Sequence, residues 1–360
     1  MHHPNFSSSL FRIIILILAI SSIIDAQTTP AAAGPSDLPR PIDTAFDVQP
    51  ASVLGGCSSA QKNDLSVAFD EMMQMKNIIS VATGDMSNNA EMPATGWMFN
   101  YLFAIPSTEE NMDYGDDRDN LQIDNLLKIW HLMDLIGQHS SGLIFQDAQG
   151  TPRKTRIYCG HEWIKQSEYV IDPATNSEVL PRRRMIGGEH WYDKVTRISM
   201  PKQTRPQLFE PRKSICGARN LAVTHTHFNT ITFCPRMWER DMRASLTMWD
   251  PPHQLAVLDS YQSFSMTFLH EYTHLVGRSY LGPNVPDVRS VDRGQESVGY
   301  HACYELAMEG GAQLALENAD SYAVLGVALF LSNCDWRDGS CQSAAYWEDM
   351  RTRASLGPSQ

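Results

Sequence analysis

Leu65, Ala68, Phe69, Met72, Met73, Met75 and Ile78 recur every three or four residues, so residues 58–83 predict a helix with a Met-rich core stripe. Trp97 to Phe103 continues the apolar character until Pro106 breaks it, and Leu121 to Ile136 reads as a second amphipathic helix. The texture then changes. Lys154–Cys159, Glu168–Ile171 and Thr230–Cys234 are β-rich and alternate, punctuated by Pro173, Pro181, Gly187 and Gly188. Helical spacing returns from Gln254. Leu255, Val257, Leu258, Tyr261, Phe264, Met266, Phe268, Leu269, Leu275 and Val276 predict one buried helix, with Gly277 as its stop signal. Further helices are expected over residues 296–316 and 319–331. Helices at both ends with short strands between them predict an α+β domain, rich in helix and with a small mixed sheet.

The buried helix from Gln254 carries His270, Glu271 and His274 in an H-E-x-x-H pattern. Positions i and i+4 share a helix face, so both imidazoles can meet one Zn²⁺ ion while Glu271 takes a proton from a water activated there. A catalytic zinc commonly has three protein ligands. Pro283 and Pro286 turn the chain back after the motif, and Glu296 is expected to open the next helix on a firm element. Glu296 is the favoured third ligand; Asp292, Asp287 and Gln295 stay open as alternatives. His225 and His227 fall on one face of an expected strand and read as structural or exposed, and His301 as packing. No Gly-rich phosphate loop or G-x-S-x-G elbow occurs, which argues against nucleotide and serine-hydrolase chemistry.

The ends of the chain change the compartment. Arg12, the apolar run Ile13–Ile20 and Ala26 predict a signal peptide over residues 1–26, too short for a bilayer span of about 20 residues. Residues 27–56, with Pro30, Pro35, Pro39, Pro41 and Pro50, predict a leader or linker. The catalytic domain is expected over 57–335, with a tail at 336–360. Seven cysteines in an oxidising compartment predict three bridges and one odd thiol; Cys216–Cys234 and Cys303–Cys334 are the expected pairs among them. The net charge of −12 disfavours nucleic acid and anionic membranes as partners. The acidic stretch Asp113–Asp119 and Arg182–Arg184 both read as exposed loops.

Several segments in order resemble the fungal deuterolysin-like metallopeptidases, the aspzincins, including their lysine-specific endopeptidase group. These are Ile231-Thr232-Phe233-Cys234-Pro235, Leu269-His270-Glu271-Tyr272-Thr273-His274-Leu275, Gly299-Tyr300-His301-Ala302-Cys303 and Asn318-Ala319-Asp320-Ser321-Tyr322. The resemblance implies a zincin-like fold, one zinc ion and secreted endopeptidase activity. It implies zinc ligation by His270 and His274, with Glu271 as base. The family's third ligand is an Asp in Gly-Thr-x-Asp-x-x-Tyr-Gly. Aligned on Gly299, this chain has Gln295 at the ligand position and Val298 in place of the family Tyr, so Tyr300 is the expected substitute as oxyanion stabiliser. Asp320 is expected to hydrogen-bond a zinc histidine or line a substrate pocket. The acid that lysine-preferring members carry is Ala323 here, so a lysine preference is not expected.

The expected function is therefore secreted, zinc-dependent hydrolysis of peptide bonds, with protein or peptide substrates, no membrane insertion and a monomeric chain. The alternative is a secreted zinc-binding or surface-antigen-like protein that keeps the fold with little catalysis.

Overall fold

A computed structural model describes residues 42–87, 93–106, 117–142, 154–167, 170–172, 175, 177–179, 190–197, 199–201, 215–217, 220–226, 228–239, 242–249, 251–280, 285–289 and 296–343. The expected signal peptide, the leader up to residue 41, residues 113–116, Arg182–Arg184, His227, Asp292 and Gln295 lie outside the described residues.

The architecture is mixed α+β and rich in helix. Helices α1 (Ile42–Ala45), α2 (Ser59–Ser87), α3 (Pro93–Phe103) and α4 (Asp117–Ser140) precede most of the strands. Helices α5 (Phe264–Tyr280), α6 (Tyr300–Leu316) and α7 (Ala319–Phe330) follow them. The largest sheet contains β1 (Phe46–Val48), β2 (Thr155–Tyr158), β8 (Ala222–His225) and β9 (Thr230–Phe233), in the order β1-β2-β9-β8. The first three positions in that order are parallel and β8 is an antiparallel edge, with His225 opposite Thr230 and Ala222 opposite Phe233. Between β2 and β8 lie a three-stranded antiparallel sheet, β3 (Ile164–Ser167), β6 (His190–Asp193) and β7 (Ser199–Pro201), and the hairpin of β4 (Val170–Asp172) and β5 (Ser177–Val179).

Period-two alternation explains why both faces of the main sheet are covered. Ile157, Ile231 and Phe233 join the helical core. Tyr158 points the other way, into a small cluster with Trp163 and Phe228, where Trp163 Nε1 donates to Thr232 Oγ1 at 3.0 Å. On the helical side Phe268 of α5 meets Phe233, Phe46 and Phe69 at ring-centroid distances of 5.4, 5.4 and 5.8 Å. Tyr272 lies between Phe46 and His139 of α4; burial pushes the His139 pKa down to about 4, so the ring stays neutral.

Phe46 also corrects the expected leader. Residues 42–56 belong to the fold, because β1 pairs with β2 and its alternating Phe46 and Val48 are buried. The Pro-rich composition concealed a three-residue strand. The tail is corrected likewise: Trp336 is buried and residues 339–341 pair with 255–258 through Leu258 N–H to Gly339 O and Cys341 N–H to Ala256 O, both 2.8 Å. That pairing holds residues 254–263 in turns, so α5 begins ten residues after Gln254, at Phe264. Ser263 starts it, its Oγ accepting from Met266 N–H at 3.1 Å.

The bridges are Cys57–Cys159, Cys216–Cys234 and Cys334–Cys341, and Cys303 is a buried free thiol. Three bridges with one odd cysteine and the Cys216–Cys234 pair agree with expectation. Cys303–Cys334 does not: Cys334 closes a seven-residue loop on Cys341, while Cys303 faces Asp320 and Asn318 inside the core. Among the described residues no helix is long and apolar enough to cross a membrane.

Candidate metal centre

Helix α5 sets two imidazoles one turn apart, and their neighbours fix both tautomers. His274 Nδ1 lies against the carbonyl oxygen of Val285, which can only accept, so Nδ1 carries the proton. His270 Nδ1 lies 3.0 Å from Asp320 Oδ1 and donates to that carboxylate. The remaining nitrogens, His270 Nε2 and His274 Nε2, face each other at 3.0 Å. Asp287 Oδ1 completes a triangle, 3.1 Å from the first and 3.4 Å from the second. That oxygen is buried without a hydrogen-bond donor.

Three electron-pair donors thus converge on one another, an arrangement that repels itself unless a cation sits among them. A tetrahedral ion with ligands at about 2.0–2.1 Å has ligand–ligand edges of roughly 3.3–3.4 Å, close to this triangle. Burial opposes charge on the imidazoles. Asp287 and, for His270, Asp320 outweigh it and hold the pKa of His270 well above, and that of His274 above, the usual histidine value. Burial would raise the Asp287 pKa, but the two histidines hold it well below the ordinary carboxylate value. The cluster demands positive charge, and His270, Glu271 and His274 form a group that can hold a metal ion.

Two carboxylates approach the imidazoles. Asp287 stands at ligand spacing. A Glu271 oxygen lies within 4.8 Å of both imidazole ligand nitrogens, and its Oε2 is buried without a hydrogen-bond partner. The helix leaves Glu271 little freedom, because its backbone carbonyl accepts from Thr224 Oγ1 on edge strand β8 at 2.9 Å. Active-site helix and sheet edge are therefore stapled together at the cleft.

Glu296, the expected third ligand, is displaced by Asp287. It does not open a helix. It forms an isolated β-bridge with Arg289, reinforced by Ser297 N–H to Val288 O at 2.7 Å, and its exposed carboxylate lies 3.7 Å from Arg289 Nη2. The bridge holds Val288 and Ser297 side by side. Alignment on Gly299 pointed to Gln295, which lies outside the described residues, and the expected helix start pointed to Glu296.

Tyr300 is not at the cleft either. Its ring is buried, packed on Gly339 and stacked on Tyr304, and its hydroxyl donates to Arg337 O at 2.5 Å. Its backbone N–H donates to Asp259 Oδ1 at 2.6 Å, which caps α6. Val298, at the position of the family Tyr, is exposed and lines the cleft. Asp320 is where its expected role needs it. Besides receiving His270, it accepts from Gly299 N–H at 2.5 Å, so one carboxylate orients the imidazole and anchors the chain returning from Asp287. Asn318 adds to that anchor, accepting from Val288 N–H at 3.0 Å and donating to Ser297 O at 3.1 Å.

Gly277 lies inside α5 instead of ending it. A Cβ there would run into Val285, so glycine permits the close approach that brings Val285 O to His274 and Asp287 to the imidazoles. Sequence reasoning recognised this glycine and misread its purpose. His301 is exposed, its ring 5.4 Å from that of Tyr300, so the expected packing role is at most partial. His225 lies against Phe228 at a ring-centroid distance of 4.5 Å with the rings tilted by 45°, in keeping with a packing role.

The centre opens into a cleft of about 740 Å³, lined by His270, Glu271, Asp287 and Asp320, with Leu221 and Ala222 of the β8 edge along one wall. No family model and no curated protein matches this chain.

Proposed function

We propose that the protein is a secreted zinc-dependent endopeptidase of the deuterolysin-like, zincin-fold kind. The observation that carries this reading is the convergence of His270 Nε2, His274 Nε2 and Asp287 Oδ1, with the buried carboxylate of Glu271 beside them. Two imidazoles and one carboxylate with room for a water suit zinc at a catalytic site. Asp287, one of the alternatives to Glu296, would also supply the aspartate that the family resemblance calls for.

Bound zinc supplies Lewis acidity towards a water and towards the scissile carbonyl. The chain does the rest. Asp320 and the Val285 carbonyl fix the imidazoles with their Nε2 lone pairs facing the ion. Glu271 takes the proton of the attacking water and returns it to the leaving amine; without a donor of its own on Oε2 it is free to accept one. Among the described residues β8 is an edge strand, on which an extended peptide can lie as an added strand. Three disulfides agree with an oxidising, extracellular compartment.

Glu271→Gln tests the mechanism. The variant keeps its zinc and loses casein cleavage by on the order of 10³-fold or more. Casein cleavage at the wild-type rate would sink the proposal. A second reading, a zinc-binding protein with little catalysis, draws support from the burial of Tyr300 and the exposed Val298 where the family has its tyrosine. A zinc-loaded wild-type protein that cleaves no peptide would favour it.

A further inference from the structure

One end of the cleft carries a cation that the metal centre does not use. Arg236 lines the wall beyond the first turn of α5, beside Asn220, Gln262, Met266 and Thr267. It is exposed, on the short turn Pro235–Trp238 that follows β9, and among the described residues it has no ion-pair or hydrogen-bond partner for its guanidinium. The turn itself is firm: Cys234 before it is bridged to Cys216, and Trp238 at its end packs on Phe233 and Phe264. The other charges lining the cleft belong to the metal centre or pair with each other. Arg289 is paired with Glu296, Asp287 and Asp320 face the imidazoles, and Glu271 stands beside them. Among the described residues that line the cleft, Arg236 is thus the cation without an ion-pair partner, in a chain whose net charge is −12.

We propose that this end of the cleft is a subsite for an acidic side chain, so that the enzyme prefers peptides with Asp or Glu at one fixed position from the scissile bond. This rests on the peptidase reading. Arg236 supplies a fork of N–H donors that fits a carboxylate, and Asn220 and Gln262 can donate to it without adding charge. A basic side chain there would meet the guanidinium at close range with no carboxylate to offset it.

The experiment profiles full-length, zinc-loaded wild type and Arg236→Glu on one randomised peptide library, with zinc content measured for both. Wild type is expected to show Asp and Glu enriched at a single position. In Arg236→Glu the ratio of kcat/KM for an acidic over a neutral residue there falls by about tenfold or more, and Lys or Arg becomes the favoured residue. Arg236→Lys keeps an acidic preference of reduced size. Wild-type cleavage without acidic enrichment, or an unchanged ratio in Arg236→Glu, overturns the subsite and leaves the peptidase reading standing. No cleavage of any library member by zinc-loaded wild type overturns both.

Discussion

Two carboxylates serve the same helix, and the difference between them separates scaffold from site. Glu71, on α2, is held at the start of α5 with both oxygens saturated. Its Oε1 accepts from Leu246 N–H at 2.7 Å and from Ser265 Oγ, and its Oε2 from Ser245 Oγ and from Thr247 N–H at 3.3 Å. Asp287 reaches the same helix two turns on and presents Oδ1 to two lone-pair nitrogens with no donor at all. A saturated carboxylate is complete as it stands and ties three segments together. An unsaturated one facing other acceptors is complete only with a cation. The inventory of donors distinguishes them.

The comparison breaks most visibly at its functional end. Asp287→Ala is expected to weaken zinc binding by on the order of 10²–10³-fold and to remove peptidase activity, read by chelator competition. With chelator present the same variant melts only slightly lower than wild type, because the imidazoles then lose the carboxylate they pair with when protonated. A large drop in midpoint under those conditions would show that Asp287 is structural after all. Glu71→Ala behaves in the opposite sense. It strands buried backbone N–H groups and hydroxyls and costs about 3–5 kcal/mol of stability by denaturant titration, with or without metal. Asp320→Asn comes next, since the amide keeps the size but supports His270 poorly; zinc affinity falls about 10–100-fold, by the same competition. Glu296→Ala is the smallest change. An exposed ion pair contributes about 0–1 kcal/mol, so zinc affinity and stability stay within that range of wild type. A loss comparable to that of Asp287→Ala would restore Glu296 as the ligand.

What could be read from sequence follows the range of the interaction that fixes each feature. The imidazole pair and Glu271 depend on one helical turn, and Cys216–Cys234 closes a short loop; both were legible. Asp320 was legible because the segment around it is distinctive. The start of α5 was not, because Ser263 and the pairing of residues 255–258 with 339–341 set it, and that pairing joins segments some 80 residues apart. β1 was hidden by prolines around three residues whose partner strand lies more than 100 positions away. The third ligand failed for a related reason. Glu296 was favoured as the first residue of a helix, and its bridge to Arg289, a partner seven positions back, puts it on extended backbone instead.

That bridge has an engineering consequence. Because Val288 and Ser297 are joined at its base, and Asn318 bonds to both sides of the join, the number of residues carried between them is decoupled from where Asp287 stands. An insertion made between the two sides of the join should therefore leave zinc affinity unchanged, because the join and not the length of chain between sets where Asp287 stands.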